Sequence, residues 1–155
     1  MNCYELLVDK CCKENIEVVE KKFKSKAKGL WKNNRIGISN QISTISEKYC
    51  ILAEEYAHYK TTYGNITNLK DIRNLKQENK ARAFAIESIC SLDKIIDAIK
   101  KNASNKHELI EILNITEELF DEAVAYYSRK QPKYSKDSIT LYFNNQLLIY
   151  REYNI

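Results

Sequence analysis

Residues 44–64 read TISEKYCILAEEYAHYKTTYG and predict the helix around which the fold is organised. Thr44 is followed three residues later by Glu47, which is the spacing of a capping box at the start of a helix. The stretch then continues without a helix breaker until Gly64, where the helix is expected to end. Two adjacent glutamates and a histidine lie in its second half, so this helix is also the first place to look for chemistry.

The composition of the whole chain favours a mainly helical protein. Of its 155 residues, 44% are hydrophobic and 30% are charged, which excludes a chain that is disordered for lack of apolar material. Three glycines and a single proline, Pro132, leave few positions that break a helix. The length suits one domain, and the predicted fold class is α+β, mainly α.

On the N-terminal side of this helix, the pattern predicts another helix and a small antiparallel sheet. Apolar residues spaced by three and four positions within residues 2–14 indicate an amphipathic helix. A β-branched run follows at residues 16–19, and apolar positions then flank Asn33-Asn34, a pair that tolerates turn geometry. We therefore expect short strands on either side of these asparagines.

On the C-terminal side, more helices and a terminal hairpin are predicted. A polar connection at residues 65–73 leads into a helix over about residues 75–90, whose apolar spacing continues to Ile99. Two short helices are then expected to meet at Asn114. Alternating apolar residues around Asn144-Asn145 indicate a hairpin at the C-terminus.

The candidate chemistry lies in Glu54, Glu55 and His58. Residues four apart on a helix share one face, so Glu54 and His58 could bind one metal ion together. A catalytic zinc takes three protein ligands as a rule, and Glu78 on the following helix is the natural third donor. Small residues, Ala81 and Ala85, share its side of that helix and would let another helix approach closely.

Two segments together resemble the ImmA/IrrE family of metallopeptidases. They are ILAEEYAHY at residues 51–59 and ENKARAFA at residues 78–85, the second of which has the family's ExxAxxFA pattern. GLWKNNRIGIS at residues 29–39 and NKHELIEILNITEELFDEAVAYY at residues 105–127 also resemble members of that family from mobile elements, in the same order. The resemblance covers roughly residues 1–130 and leaves residues 131–155 as a C-terminal extension within the same domain.

This resemblance implies a zincin-like helical core and a metal-dependent endopeptidase. Glu54, His58 and Glu78 would be the metal ligands, and Glu55 would be the base that takes a proton from water. The family has histidine where this chain has Glu54, so Zn²⁺ is the expected ion and Mn²⁺ is an alternative for a more anionic site. The implied substrate is a helix-turn-helix repressor of a phage or mobile element. The alternative is a catalytically inactive protein of the same fold that binds such a regulator.

Charge and cysteine usage bear on partners and location. Seven lysines and arginines crowd residues 21–35, and we read them as a solvated face, whereas the acidic residues of segment 106–128 would repel a phosphate backbone. No direct contact with nucleic acid is therefore expected, and DNA binding through segment 106–128 is the weakest alternative. No segment reaches the roughly 18 consecutive apolar residues of a membrane span, so no membrane contact is expected. The N-terminus lacks a signal-peptide pattern, and five cysteines without paired spacing look like reduced thiols, so a cytoplasmic location is predicted.

Overall fold

The computed structural model describes residues 1–62 and 72–153, and the side chains from residue 75 onward in the second range. The helix predicted to start after Thr44 ends at Thr61, close to the predicted end near Gly64. Gly64 itself and most of the predicted connection at residues 65–73 lie outside the described residues. The described helices and strands, in chain order, are α1 (Cys3–Lys13), β1 (Glu17–Lys21), β2 (Gly29–Lys32), β3 (Arg35–Ser39), α2 (Ile45–Thr61), α3 (Ile72–Ile89), α4 (Leu92–Lys100), α5 (Lys106–Leu113), α6 (Glu117–Lys130), β4 (Lys133–Lys136), β5 (Ile139–Phe143) and β6 (Leu147–Arg151). The predicted fold class, α+β and mainly α, is confirmed.

The chain divides into two compact units, Met1–Ser88 and Ile89–Ile155. The first contains α1, the first sheet, α2 and most of α3. The second contains α4 to α6 and the second sheet. The division reflects compactness alone, so the proposed extent of the peptidase-like region, residues 1–130, stays a prediction, as does the description of residues 131–155 as an extension.

The first sheet has the strand order β1-β3-β2. Its β2–β3 hairpin is antiparallel as predicted, and Asn33 in the turn takes the left-handed conformation with φ 54°. Strand β1, however, pairs parallel to β3, whereas the sequence predicted an antiparallel sheet throughout. The reason is that β1 lies on the free side of β3 and connects through residues 22–28 to β2, so it runs antiparallel to β2 and parallel to β3.

Helix α2 begins as its sequence predicts. Thr44 is the N-cap, and its side-chain oxygen accepts a hydrogen bond from the backbone N–H of Glu47 at 3.2 Å. On one side α2 packs on α3 through Ala57, Ala81 and Ala85, which are all buried. These three short side chains permit the close approach of two helices that the sequence predicted.

In the second unit, α4 is a helix of its own rather than a continuation of α3. Ser91 interrupts the two as the N-cap of α4, because its side chain accepts a hydrogen bond from the backbone N–H of Lys94. The short helices α5 and α6 meet at Asn114, which is left-handed with φ 56°, as the sequence predicted. His107 is exposed at the start of α5.

The second sheet has the order β4-β5-β6 and is antiparallel throughout. The hairpin predicted around Asn144-Asn145 is formed by β5 and β6, and Asn145 has φ 55°. Strand β4, with the sequence KYSK, was not predicted, because only one of its four side chains is even partly buried and the apolar alternation is absent. Within the described residues, no helix is both long enough and apolar enough to cross a membrane.

Candidate functional site

Helix α2 places the two adjacent glutamates in different surroundings. Successive helical residues point about 100° apart, so Glu54 and Glu55 cannot share one direction. Glu54 is exposed, whereas Glu55 is largely covered and His58 is partly buried. Leu52 and Ala53 on the neighbouring face are fully buried, and they fix which way the helix is turned.

His58 meets Glu78 across the contact between α2 and α3. The Nε2 atom of His58 lies 3.5 Å from Oε1 of Glu78, and the two side chains are 17% and 25% exposed. The residues are twenty positions apart in the chain, so only the packing of Ala57 on Ala81 and Ala85 brings them together. Two of the three predicted metal ligands are therefore neighbours in the structure.

Thr62 contacts the other nitrogen of the same imidazole. Nδ1 of His58 lies 3.4 Å from Oγ1 of Thr62, at the long end of the hydrogen-bond range. This partner on Nδ1 favours the ring orientation in which Nε2 points toward Glu78. Metal-binding histidines usually have such a hydrogen-bond partner on the ring nitrogen that does not bind the metal. Thr62 is the C-cap of α2, and its backbone N–H donates to the carbonyl of His58. The C-terminal end of α2 thus orients the imidazole ring of His58.

Glu55 lies beneath the first strand of the β2–β3 hairpin. A methyl group at Gly29 would stand 2.9 Å from Cγ and 3.1 Å from Oε1 of Glu55, and 2.6 Å from Cγ2 of Ile51. Only a residue without a side chain allows the backbone of β2 to cover this carboxylate so closely. Gly29 is therefore the residue that lets Glu55 be buried.

Burial changes the acidity of Glu55. Loss of solvent, followed by the negative charges of Glu54 and Glu78, raises the pKa of Glu55 from 4.5 to about 7. At neutral pH both the protonated and the ionised form of this carboxyl are populated. A carboxyl with that property can accept a proton and return it within one reaction.

Two aromatic rings line β2 and α2 next to these residues. The ring of Trp31 stands edge-on to that of Tyr59, with centroids 6.4 Å apart, and its indole N–H donates to the carbonyl of Asn33 at 2.8 Å. Gly29 and Trp31 are two positions apart in a strand, so both face α2. Helix α2 thus has β2 along one side and α3 along another.

Tyr56 holds α2 to the first helix instead of serving the site. Its hydroxyl donates to both carboxylate oxygens of Glu14 at 2.9 Å, and Lys60 pairs with the same carboxylate at 2.8 Å. Burial, together with Glu14, raises the pKa of the Tyr56 hydroxyl to about 12. Glu14 is the C-cap of α1, so this contact joins the two helices end to side.

The fit of the side chains to a metal ion is partial. Imidazole and carboxylate are common zinc ligands, and His58 and Glu78 already approach each other. Among residues 1–62 and 72–153, however, no three His, Cys, Asp or Glu side chains stand together as a group that could hold a metal ion. Glu54 lies one helical turn before His58 but is exposed, so the site has two gathered donors and a third within one turn of the helix.

Sequence reasoning identified the charged residues of this site and missed those that position them. Gly29, Trp31 and Thr62 were not singled out. A signal existed for Gly29, because glycine within a strand often marks a place where another group approaches the backbone closely. No comparable local signal existed for Thr62, whose role depends on where α2 ends.

Comparisons with known proteins identify no relative. No protein-family model matches the chain, and neither a curated protein nor a solved structure matches it significantly.

Proposed function

We propose that this chain is a metal-dependent endopeptidase in which Glu54, His58 and Glu78 bind the ion and Glu55 acts as the base. The proposal depends above all on the approach of His58 Nε2 to Glu78 Oε1 at 3.5 Å, on two different helices. Next to this pair is a buried carboxyl, Glu55, whose pKa is raised to about 7. A base beside two metal-type donors is the arrangement used in metal-dependent hydrolysis of a peptide bond.

Glu55 can act in both halves of such a reaction. In its ionised form it takes a proton from water, and in its protonated form it donates that proton to the departing amine. Gly29 keeps the carboxyl covered by backbone and so limits its hydration. His58 on α2 and Glu78 on α3 meanwhile bring their side chains to within 3.5 Å of each other.

Glu54, His58 and Glu78 would hold a divalent cation, which would supply a Lewis acid to polarise the carbonyl of the scissile bond. Zn²⁺ is the first choice for a set that includes imidazole, and Mn²⁺ is the alternative because a second and third carboxylate favour harder ions. Glu54 would complete the set by turning toward His58. We also propose, from the resemblance alone, that the substrate is a helix-turn-helix repressor of a phage or mobile element. The cysteine usage supports the proposal that the protein acts in the cytoplasm.

Metal content tests the ligand assignment. Protein purified without chelator, and after reconstitution with Zn²⁺ or Mn²⁺, is analysed for bound metal beside Glu54→Ala, His58→Ala and Glu78→Ala variants. The chain has only two histidines, so His107→Ala is the matched control for His58→Ala. We expect close to one equivalent in the unmodified protein and in the control, and loss in the three ligand variants. Metal retained in all three would refute the assignment.

A peptide library tests the assignment of the base. The metal-loaded protein is incubated with a pool of unstructured peptides, and new termini are identified by mass spectrometry. Glu55→Gln should lower cleavage by about 10²-fold or more, since general-base catalysis contributes on that order. Glu111→Gln, at an exposed position of α5, should leave cleavage unchanged. Cleavage that survives Glu55→Gln would refute the role of Glu55.

A second candidate is a binding protein that retains the fold and has lost catalysis. The observation in its favour is that, of the three predicted ligands, Glu54 stands exposed, and the described residues show no three-donor group. This candidate predicts no bound metal after reconstitution and no cleavage, while a repressor partner still binds. It also predicts that Glu55→Gln leaves that binding unchanged.

A further inference from the structure

The outer face of the first sheet differs from the face that covers Glu55. Alternate residues of a strand point to opposite faces, so Leu30 and Lys32 point away from α2, whereas Gly29 and Trp31 point toward it. The register places Val19, Gly37 and Leu30 in one row across the three strands. This row forms the middle of the outer face.

Gly37 opens a groove in that row. It is the central residue of the row and has no side chain, and the ring of Phe23 lies over it, 3.2 Å from where a methyl group would stand. The resulting groove has a volume of about 410 Å³, and Val19, Phe23 and Leu30 supply its apolar lining. Leu30 is 51% exposed and so presents apolar surface to solvent at this groove.

The rim of the groove is basic. The next row across the strands is Glu17, Arg35 and Lys32, and Lys21 stands beside Phe23 with its ammonium 6.0 Å from the ring centroid. Glu17 is the one acidic residue among those lining the groove, and it pairs with Arg35 at 2.7 Å. Residues 21–35 contain seven lysines and arginines and no acidic residue, whereas the excess of basic residues over the whole chain is only four. Three of these seven residues, Lys21, Lys32 and Arg35, line the groove, so its rim has more basic than acidic residues.

We propose that this groove, lined by Val19, Phe23, Leu30 and Gly37, docks an acidic peptide segment of a partner protein that presents a bulky apolar side chain. The basic rim attracts the acidic residues, and the apolar side chain occupies the space that Gly37 leaves open. A phosphate backbone would satisfy the lysines but leave the apolar groove unfilled. A membrane surface would suit protruding apolar residues, whereas these line a concavity. Because the groove is on the face of the sheet opposite to Glu55, this docking is independent of the proposed peptidase chemistry.

The probe is a short synthetic peptide in which glutamates flank a central Leu-Phe pair, and its binding to the full chain is measured by isothermal titration calorimetry at low salt. A second peptide has glutamine at each glutamate position, and a third has alanine in place of the Leu-Phe pair. We expect the first peptide to bind and the other two to bind at least fivefold more weakly. No binding of the first peptide, or equal binding of all three, would overturn the proposal.

Variants locate the binding on this face. Lys32→Glu should weaken binding about fivefold to tenfold, and Leu30→Ser by about fivefold, while Glu17→Gln should strengthen it about twofold. Lys101→Glu makes the same change of charge at an exposed position in the second unit and should have no effect beyond a twofold change. All of these positions are exposed, so thermal unfolding should confirm that the variants are folded.

Competition separates the alternative occupants. Duplex DNA and vesicles containing anionic lipid are titrated against the complex with the first peptide. If either displaces the peptide at lower concentration than the peptide itself, and Lys32→Glu but not Leu30→Ser weakens that interaction, the face recognises a phosphate surface and the proposal is overturned. If Lys101→Glu weakens peptide binding as much as Lys32→Glu, binding follows net charge alone and the proposal is equally overturned. Glu55→Gln should leave peptide binding unchanged.

Discussion

The two sheets of this protein have the same number of strands and differ in where glycine replaces a side chain. In the second sheet, Ile139, Leu141 and Phe143 of the central strand β5 are all buried, and the ring of Phe143 lies 5.2 Å from that of Tyr127 on α6. The first sheet contains two of the three glycines of the chain. Gly29 makes room for Glu55 on one face, and Gly37 makes room for the groove on the other. The central strands of both sheets bury apolar side chains, Ile36 and Ile38 in the first sheet, but only the first sheet contains glycines at which another group closely approaches the backbone.

The largest expected effect on stability is in the second sheet. Leu141→Ala removes a side chain that is 0% exposed, and should lower the free energy of unfolding by about 2–5 kcal/mol through lost burial and the cavity left behind. Urea denaturation followed by circular dichroism measures this. Leu148→Ala on β6, where the leucine is 57% exposed, is the control and should cost less than about 0.5 kcal/mol. Equal costs at the two positions would show that β5 does not form the interior of this sheet.

The next largest effect concerns the carboxyl of Glu55 beneath the first sheet. Folding raises the pKa of Glu55 from its ordinary value of 4.5 to about 7. The carboxyl therefore stays protonated up to a higher pH in the folded protein than in the unfolded chain. Stability contributed by the protonated form is therefore complete below pH 4.5 and is lost as the pH rises toward 7. Glu55→Gln removes this loss, so relative to the unmodified protein it should gain about 2–3 kcal/mol between acidic and mildly alkaline pH.

Urea denaturation over this pH range, with a chelator present to remove any metal, measures the difference. Glu111→Gln, which removes one carboxylate at an exposed position, is the control for the change of charge. A stability difference between Glu55→Gln and the unmodified protein that stays constant with pH would mean that Glu55 is hydrated in solution.

Gly29 and Gly37 can be compared directly, since neither requires a positive φ and both can accept an alanine backbone. Gly29→Ala places a methyl group 2.6 Å from Cγ2 of Ile51 and should cost about 1–3 kcal/mol of folding free energy by overpacking. Gly37→Ala meets only the far end of the Phe23 ring, at 3.2 Å, and should cost less than about 1 kcal/mol.

Thermal unfolding measures both substitutions. Ile51→Leu lacks the Cγ2 branch, so adding it to Gly29→Ala should recover part of the loss, whereas adding it to Gly37→Ala should not. A Gly37→Ala variant that is less stable than Gly29→Ala would contradict the close packing of β2 on Glu55.

The smallest expected effect is one that the two sheets share. Asn33 and Asn145 both turn their hairpins with left-handed backbones, at φ 54° and 55°. Alanine at either position should cost about 1 kcal/mol, and glycine should cost nothing or stabilise slightly, because only alanine meets the steric penalty of positive φ. Equal penalties in the two sheets would confirm that they differ in packing and not in their turns.

Local patterns predicted the helices and both hairpins well, because capping residues, apolar spacing and asparagine turns act over a few positions. The sequence also identified Glu54, Glu55, His58 and Glu78, of which the structure brings His58 and Glu78 into contact and buries Glu55 beside them. The parallel pairing of β1 and the strand β4 were not predictable in this way. Strand partners depend on distant segments, and β4 has no apolar alternation to mark it.

The covering of Glu55 by Gly29 was beyond local pattern for a similar reason. A glycine indicates that something approaches the backbone, but which side chain approaches is decided by how β2 packs on α2. The exposure of Glu54 likewise follows from the rotation of α2, which Leu52 and Ala53 determine by their burial. Charge and spacing alone could not distinguish the two neighbouring glutamates.

Strand β2 also contains the only tryptophan of the chain, Trp31, edge-on to Tyr59 and bonded to the turn that follows it. Intrinsic emission excited in the red edge of indole absorption therefore comes from this one strand. Its wavelength and quenching would report whether β2 moves when a cation is added on one side or a peptide on the other. The fluorescence of Trp31 can therefore be used to follow both cation binding and peptide docking without attaching a label.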